Sequence, residues 1–82
     1  MIRIVLSARL GERRWSQADL ARATGIRPAT ISEYYYELVD RVNLEHLDLI
    51  CQALNCELSE ILVRQTEENA HMFPSTRPRR KR

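Results

Sequence analysis

The sequence predicts an all-α fold of five short helices, and three observations support it. Apolar residues recur at helical spacing, residues that begin and end helices stand at matching positions, and the length suits one domain. The chain has 82 residues, enough for one modest core. Apolar residues make up 44% of it, and no apolar run approaches the length of a membrane span. We therefore expect one cytoplasmic domain without a membrane segment or signal peptide.

The first helix is expected over residues 3–13. Ile2, Leu6 and Leu10 recur at intervals of four residues and would form an inward stripe. Trp15 follows and is interpreted as a lid over the core, because large aromatic side chains mostly serve burial.

Residues 16–36 carry the strongest pattern, two short helices joined by a tight turn. Ser16 is a suitable N-cap for the second helix, and Gly25 can take the left-handed conformation that ends it. Pro28 suits the first position of a third helix, expected over residues 28–36, because its fixed φ matches a helix start. The arrangement is a helix-turn-helix.

The third helix has an inner and an outer side. If Ile31 points to the core, the helical period places Pro28, Tyr34 and Tyr35 nearest to it. The outward residues are then Ala29, Thr30, Ser32, Glu33 and Tyr36.

Two further helices are expected after a connection. Asn43 is a plausible N-cap for the fourth helix, and Asn55 can take the left-handed conformation that ends it. Its inward stripe would consist of Leu44, Leu47, Ile50, Cys51 and Leu54. A short fifth helix over residues 58–64 would contribute Leu58, Ile61 and Leu62.

Seven residues at fixed spacing resemble the signature of the Cro-type (lambda-repressor-like) helix-turn-helix regulators: Gln17, Leu20, Ala21, Gly25, Ile26, Ile31 and Ser32. The resemblance implies a five-helix lambda-repressor-like DNA-binding domain over residues 2–64, followed by a C-terminal extension over residues 65–82. Two departures stand out. Arg27 occupies the place of a Ser or Thr cap, and Tyr36-Glu37 stands where the family often has Asn-Gly.

Nine residues are candidate DNA contacts, because they lie on the outward side of the motif or match contact positions of the family. They are Gln17, Arg27, Pro28, Ala29, Thr30, Ser32, Glu33, Tyr36 and Arg41. The resemblance implies that Gln17 and Arg41 contact the DNA backbone, and we assign Arg27 to a phosphate or a guanine. Thr30 offers a methyl group to thymine, and Glu33 can accept a hydrogen bond from cytosine N4.

The net charge of +2 is unevenly divided along the chain. Residues 1–64 hold eight arginines and nine acidic residues, a net −1, whereas residues 65–82 carry a net +3. The basic end, residues 77–82, is either a flexible solvated tail or an arm that contacts DNA.

Two functions fit this pattern. The first is a homodimeric, sequence-specific regulator of double-stranded DNA, a repressor or an activator, with the repressor favoured. The second is an antitoxin or mobile-element accessory protein that uses the same fold for protein–protein interaction. The near-neutral folded part keeps the second function open, because tight non-specific DNA binding needs positive charge.

An enzyme is not expected. The sequence has no glycine-rich phosphate loop, no paired carboxylates in a plausible pocket and no nucleophile with a base. Cys51, Cys56, His46 and His71 lack zinc-ligand spacing. In a reducing compartment the two cysteines act as small hydrophobic residues. We therefore expect no metal, no cofactor and no small-molecule effector.

Overall fold

The structure, a computed structural model, describes residues 1–69. In chain order, the elements are β1 (Ile2–Ile4), α1 (Leu6–Arg13), α2 (Gln17–Thr24), α3 (Pro28–Tyr35), α4 (Leu44–Leu54), a 3-10 turn (Leu58–Glu60) and β2 (Leu62–Arg64). The mostly helical class is confirmed. Over the same residues no helix is long and apolar enough to cross a membrane. The predicted basic tail, residues 77–82, lies outside the described residues.

A small sheet replaces parts of two predicted helices. β1 pairs with β2 in antiparallel register, with Arg3 opposite Val63. The helix expected over residues 3–13 therefore begins only at Leu6. In place of the helix expected over residues 58–64, the chain forms the 3-10 turn and β2. Both strand segments contain β-branched residues, which favour extended backbone once a partner strand is present.

The predicted capping residues of α2 and α4 are confirmed. Ser16 and Asp19 form a capping box, in which the Asp19 N–H donates to Ser16 Oγ at 3.1 Å and the Ser16 N–H donates to Asp19 Oδ2 at 2.8 Å. Gly25 ends α2 in the left-handed conformation at φ 76°. Asn43 caps α4 through its side chain, and Asn55 ends α4 at φ 50°. These short-range signals decide where α2 and α4 begin and end.

The core is formed by one cluster of buried side chains: Ile4, Leu6, Leu10, Leu20, Ala21, Ile26, Ile31, Tyr34, Ile50, Leu54 and Ile61. Trp15 packs against this cluster, as predicted. Three residues expected to point inward are exposed instead, Ile2 by 63%, Leu44 by 77% and Leu58 by 48%. Ile2 is exposed because β1 begins there, and Leu44 and Leu58 are the first residues of their helical segments.

A buried ion pair links the two ends of the described chain to the end of α3. Arg3 Nε donates to Glu37 Oε1 at 2.6 Å, and Arg3 Nη2 donates to Glu37 Oε2 at 2.8 Å. Arg3 Nη1 also donates to Gln65 Oε1 at 2.6 Å, and the Ile4 N–H donates to Glu37 Oε1 at 3.1 Å. The hydrogen bond from Arg3 to Glu37 raises the pKa of Arg3. The sheet is thereby joined to the residue that follows α3.

Candidate nucleic-acid interface

The helices α2 and α3 pack against each other through small and branched apolar side chains. Leu20 and Ile31 are fully buried at this contact, and Ala21 and Ile26 are buried beside them. The small Ala21 allows a close approach, since a longer side chain would separate the helices. The Gly25 N–H donates to the Ala21 carbonyl at 2.9 Å, so the chain reverses within one turn of the helix end.

Two hydrogen bonds of the Thr24 hydroxyl also stabilise the turn between α2 and α3. The Thr24 hydroxyl donates to the Leu20 carbonyl at 2.8 Å and accepts from the Ile26 N–H at 3.2 Å. Pro28 occupies the first turn of α3, as predicted. Arg27 is the N-cap of α3, and its side chain makes no capping hydrogen bond. Its side chain is exposed at the start of α3.

The outer edge of α3 consists of exposed Pro28, Ala29 and Glu33 with half-buried Thr30 and Ser32. The buried Ile31 orients the helix so that these residues face away from the core. The helical period had placed Pro28 near the core side, which is wrong. It lies at the exposed end of α3, and only the later turns of the helix pack against the core.

The three consecutive tyrosines have different surroundings. Tyr34 is buried, and its hydroxyl accepts from the Asn43 N–H at 3.2 Å and shares a 3.0 Å hydrogen bond with His46 Nδ1. Tyr35 and Tyr36 pack edge to face, with ring centroids 4.9 Å apart. Tyr36, expected to face outward, is therefore half-buried. Tyr34 fixes α3 to the start of α4.

The remaining candidate residues surround the motif. Gln17 is the first residue of α2 and is half-buried, whereas Arg41 is exposed in the connection before α4. Arg22 forms an ion pair with Asp19 on the surface of α2. By contrast, within residues 1–69 neither Arg27 nor Arg41 forms an ion pair. Both guanidinium groups are thus available to an external anion.

A groove of about 500 Å³ lies between the start of α3 and the start of α4. Arg27 and Thr30 line it on one side, and Glu45, His46 and Leu49 line it on the other. The groove therefore lies between Thr30 of the outer edge of α3 and the first turns of α4. The major groove of DNA admits an α-helix that presents side chains to the base edges.

Residues 5–67 of the chain match the model of the Cro/C1-type HTH DNA-binding domain family. This match covers about three quarters of the sequence. The chain belongs to the Cro/C1-type helix-turn-helix family. No curated protein matches the sequence. The family match confirms the resemblance seen in the signature residues.

One departure from the usual family sequence has a structural explanation. Glu37 stands where family members often have glycine, and its backbone is left-handed at φ 57°. A side chain in that conformation costs roughly 1 kcal/mol or more. Here the Glu37 carboxylate is buried against Arg3 and forms an ion pair that glycine could not make. Sequence reasoning missed this pair. The only available signal was a charged residue at a position that favours glycine.

Proposed function

We propose that this Cro/C1-type protein is a sequence-specific transcription regulator, a repressor that binds double-stranded DNA as a homodimer. In this proposal α3 enters the major groove and α2 lies across the phosphate backbone. The observation that carries the proposal is the outer edge of α3, which exposes Pro28, Ala29 and Glu33 and borders the groove. A single helix-turn-helix buries little DNA surface, so two copies about one helical turn apart are needed.

The outer edge offers chemistry suited to base recognition. Ala29 and Thr30 present methyl groups that can contact the methyl group of thymine, and the Thr30 hydroxyl can donate or accept. Glu33 is exposed and can accept a hydrogen bond from cytosine N4. A carboxylate near phosphates is unfavourable unless it is paired in this way, so Glu33 would also reject other bases.

The backbone contacts come from the residues around the edge. Arg27 and Arg41 are exposed cations, and Gln17 lies at the N-terminus of α2, where backbone N–H groups favour anions. Ser32 and Tyr36 contribute hydroxyl groups. Because residues 1–64 carry a net −1, binding must depend on where these few cations lie. With two arginines in each of two subunits, these contacts would contribute about −3.6 to the slope of the logarithm of the DNA-binding constant against the logarithm of the salt concentration.

Selection of binding sites from random DNA tests this proposal, with affinity for the selected site then measured over a range of salt concentrations. We expect a two-fold symmetric site with half-sites about one helical turn apart. Arg27→Ala should weaken binding to all sequences and reduce the salt slope by about one per subunit. The control is Arg64→Ala, which removes an exposed arginine on β2 and should leave the slope unchanged. Enrichment of no sequence would contradict the proposal.

Repression is tested separately with a reporter gene that carries the selected site within its promoter. A repressor lowers expression when the site overlaps the promoter, and an activator raises expression when the site lies upstream. The alternative function, an antitoxin or mobile-element accessory protein, is favoured by the net −1 of residues 1–64. It predicts a protein partner that co-purifies with the chain and no DNA binding even at low salt.

A further inference from the structure

The register of the two-strand sheet determines which backbone groups point out of it. The Val5 N–H donates to the Ile61 carbonyl at 2.8 Å, and the Gln65 N–H donates to the Met1 carbonyl at 2.7 Å. These two pairs lie just beyond the two ends of the sheet. Since hydrogen-bonded and non-hydrogen-bonded pairs alternate in an antiparallel ladder, the central pair of the sheet is hydrogen-bonded, whereas the pairs on either side of it are not. In those two pairs the N–H and carbonyl groups point away from the partner strand.

The two outer edges of the sheet differ in what they contact. On β1 the Ile4 N–H points outward and donates to Glu37 Oε1 at 3.1 Å, so the buried ion pair covers that edge. On β2 the Arg64 carbonyl points outward and accepts from Asn69 Nδ2 at 3.3 Å. Within residues 1–69 the Leu62 N–H, the Leu62 carbonyl and the Arg64 N–H form no hydrogen bond. These outward groups form what we call the free edge of β2.

We propose that the free edge of β2 pairs with the same edge of a second copy of this chain, which joins the two small sheets into one sheet of four strands. An exposed strand edge is a template for pairing with another chain. A sheet of two strands is marginally stable, whereas four strands are common in proteins. The inference rests on the homodimer of the proposed function and names the surface at which the two copies meet.

The backbone of the free edge is complementary to itself. In an antiparallel pairing centred on Val63, Leu62 of each copy lies opposite Arg64 of the other. Both residues point their N–H and carbonyl groups outward, so the two copies can share four hydrogen bonds. The Arg64 carbonyl can keep its bond from Asn69, because a carbonyl oxygen has two lone pairs. A shift of the register by one residue would place outward groups opposite inward groups and lose the four bonds.

The side chains also suit this pairing. The half-buried Val63 of one copy meets Val63 of the other on the two-fold axis, and a pair of β-branched side chains directly opposite each other stabilises a sheet. The exposed Arg64 lies opposite Leu62, so like charges do not stand directly opposite each other. Each strand has only three residues, so the contact is small, and we expect a dimer that dissociates on dilution.

Arg64→Pro tests the backbone pairing. Proline has no N–H and is tolerated on an edge strand where that N–H points away from the sheet, so β1 and β2 keep their own hydrogen bonds. Because each net hydrogen bond changes an equilibrium constant about fivefold, the loss of one bond per copy should weaken the dimer about 25-fold. Sedimentation equilibrium of the full chain without DNA measures the dissociation constant of the dimer. Arg64→Ala is the matched control, because it removes the same side chain, keeps the N–H and should leave this constant nearly unchanged.

A cross-link gives a second measurement that does not depend on the proline variant. In a non-hydrogen-bonded pair the two Cα atoms lie about 4.5 Å apart, which a disulfide can span, so Val63→Cys should link two copies across the axis. With oxidised glutathione this variant should form more covalent dimer than the native chain, whose two free cysteines set the background. Glu12→Cys, at an exposed position on α1, is the control and should not exceed that background.

Three results would overturn the proposal: a native chain that stays monomeric, a folded Arg64→Pro variant that dimerises as tightly as the native chain, or no more covalent dimer from Val63→Cys than from Glu12→Cys. Circular dichroism shows whether Arg64→Pro is folded, and if it is unfolded the cross-link decides. A dimer that forms through β2 but selects no DNA sequence would contradict the proposed function alone. A sequence-specific dimer that joins at another surface would contradict only the pairing of β2.

Discussion

Replacing Glu37 with glutamine tests whether the buried ion pair holds the sheet to the end of α3. Glu37→Gln preserves the size of the side chain and removes its charge. The carboxylate accepts two hydrogen bonds from Arg3 and one from the Ile4 N–H, and both Arg3 and Glu37 are about 5% exposed. The glutamine amide has one acceptor oxygen, and its NH₂ group would face a donor of Arg3.

The expected loss follows from this geometry. Removing one partner of a buried ion pair costs about 3 kcal/mol or more. If the free energy of unfolding falls by about 1 kcal/mol for each molar of urea, the urea concentration at the unfolding midpoint should fall by about 3 M. The control is Glu12→Gln, because the Arg9–Glu12 pair at 3.2 Å lies on the surface with the Glu12 side chain 56% exposed. That change should cost no more than about 0.5 kcal/mol.

Urea unfolding followed by circular dichroism measures both variants. Adding Arg3→Met to Glu37→Gln should recover part of the lost stability, because it removes the buried guanidinium group whose carboxylate partner the first change took away. If Glu37→Gln and Glu12→Gln lower the free energy of unfolding by equal and small amounts, the reasoning is refuted. A double variant that is less stable than Glu37→Gln alone would also refute it.

Four further predictions concern single residues in or next to α1 and α2. Gly25→Ala should destabilise the domain by about 1 kcal/mol or more, because no neighbouring atom crowds the added Cβ and only the φ of 76° resists it. Gly11→Ala, at a position in α1 where an added Cβ meets no neighbouring atom, should stabilise the domain by about 0.5–1 kcal/mol. Thermal unfolding compares the two glycine variants. Ser16→Ala should cost about 1 kcal/mol, measured in urea. Hydrogen bonds from Ser16 lower the pKa of Asp19, so its stabilising contribution is present above about pH 4 and is lost as the pH falls through the folded-state pKa. Asp19→Asn should therefore make the unfolding temperature fall less steeply between pH 4 and pH 2.

The parts of the fold that could be predicted depend on neighbours within a few residues. Ser16, Gly25 and Asn43 act through hydrogen bonds or backbone conformation at their own positions, and the structure has them as the sequence predicted. Burial of Ile31 likewise sets Ala29 and Glu33 on the outer side of α3 through the helical period, although the same period placed Pro28 wrongly. Short-range physical chemistry was sufficient for the helix-turn-helix.

The parts that were missed depend on residues far apart in the chain. β1 and β2 are three residues each, and each is a strand only because the other lies beside it. The pattern of Ile2, Leu6 and Leu10 fits one long helix as well as it fits a strand followed by a helix. The sequence therefore did not distinguish between these two structures. Glu37 gave no sign of its partner, since Arg3 lies 34 residues away.

The candidate site shows the same division. The exposure of Ala29 and Glu33 follows from helical geometry, whereas the half-burial of Tyr36 arises from its packing on Tyr35. Which of these residues contact DNA stays a prediction.

The central claim is that the outer edge of α3 reads bases. It is tested most directly by the affinity of Glu33→Ala for the selected DNA site and for a scrambled sequence, at one salt concentration. Glu68→Ala, which removes another exposed carboxylate, serves as the control. We predict that Glu33→Ala reduces the difference in binding free energy between the two sequences by about 1–3 kcal/mol, because cytosine loses its acceptor. An unchanged ratio, with both affinities altered equally, would contradict the account.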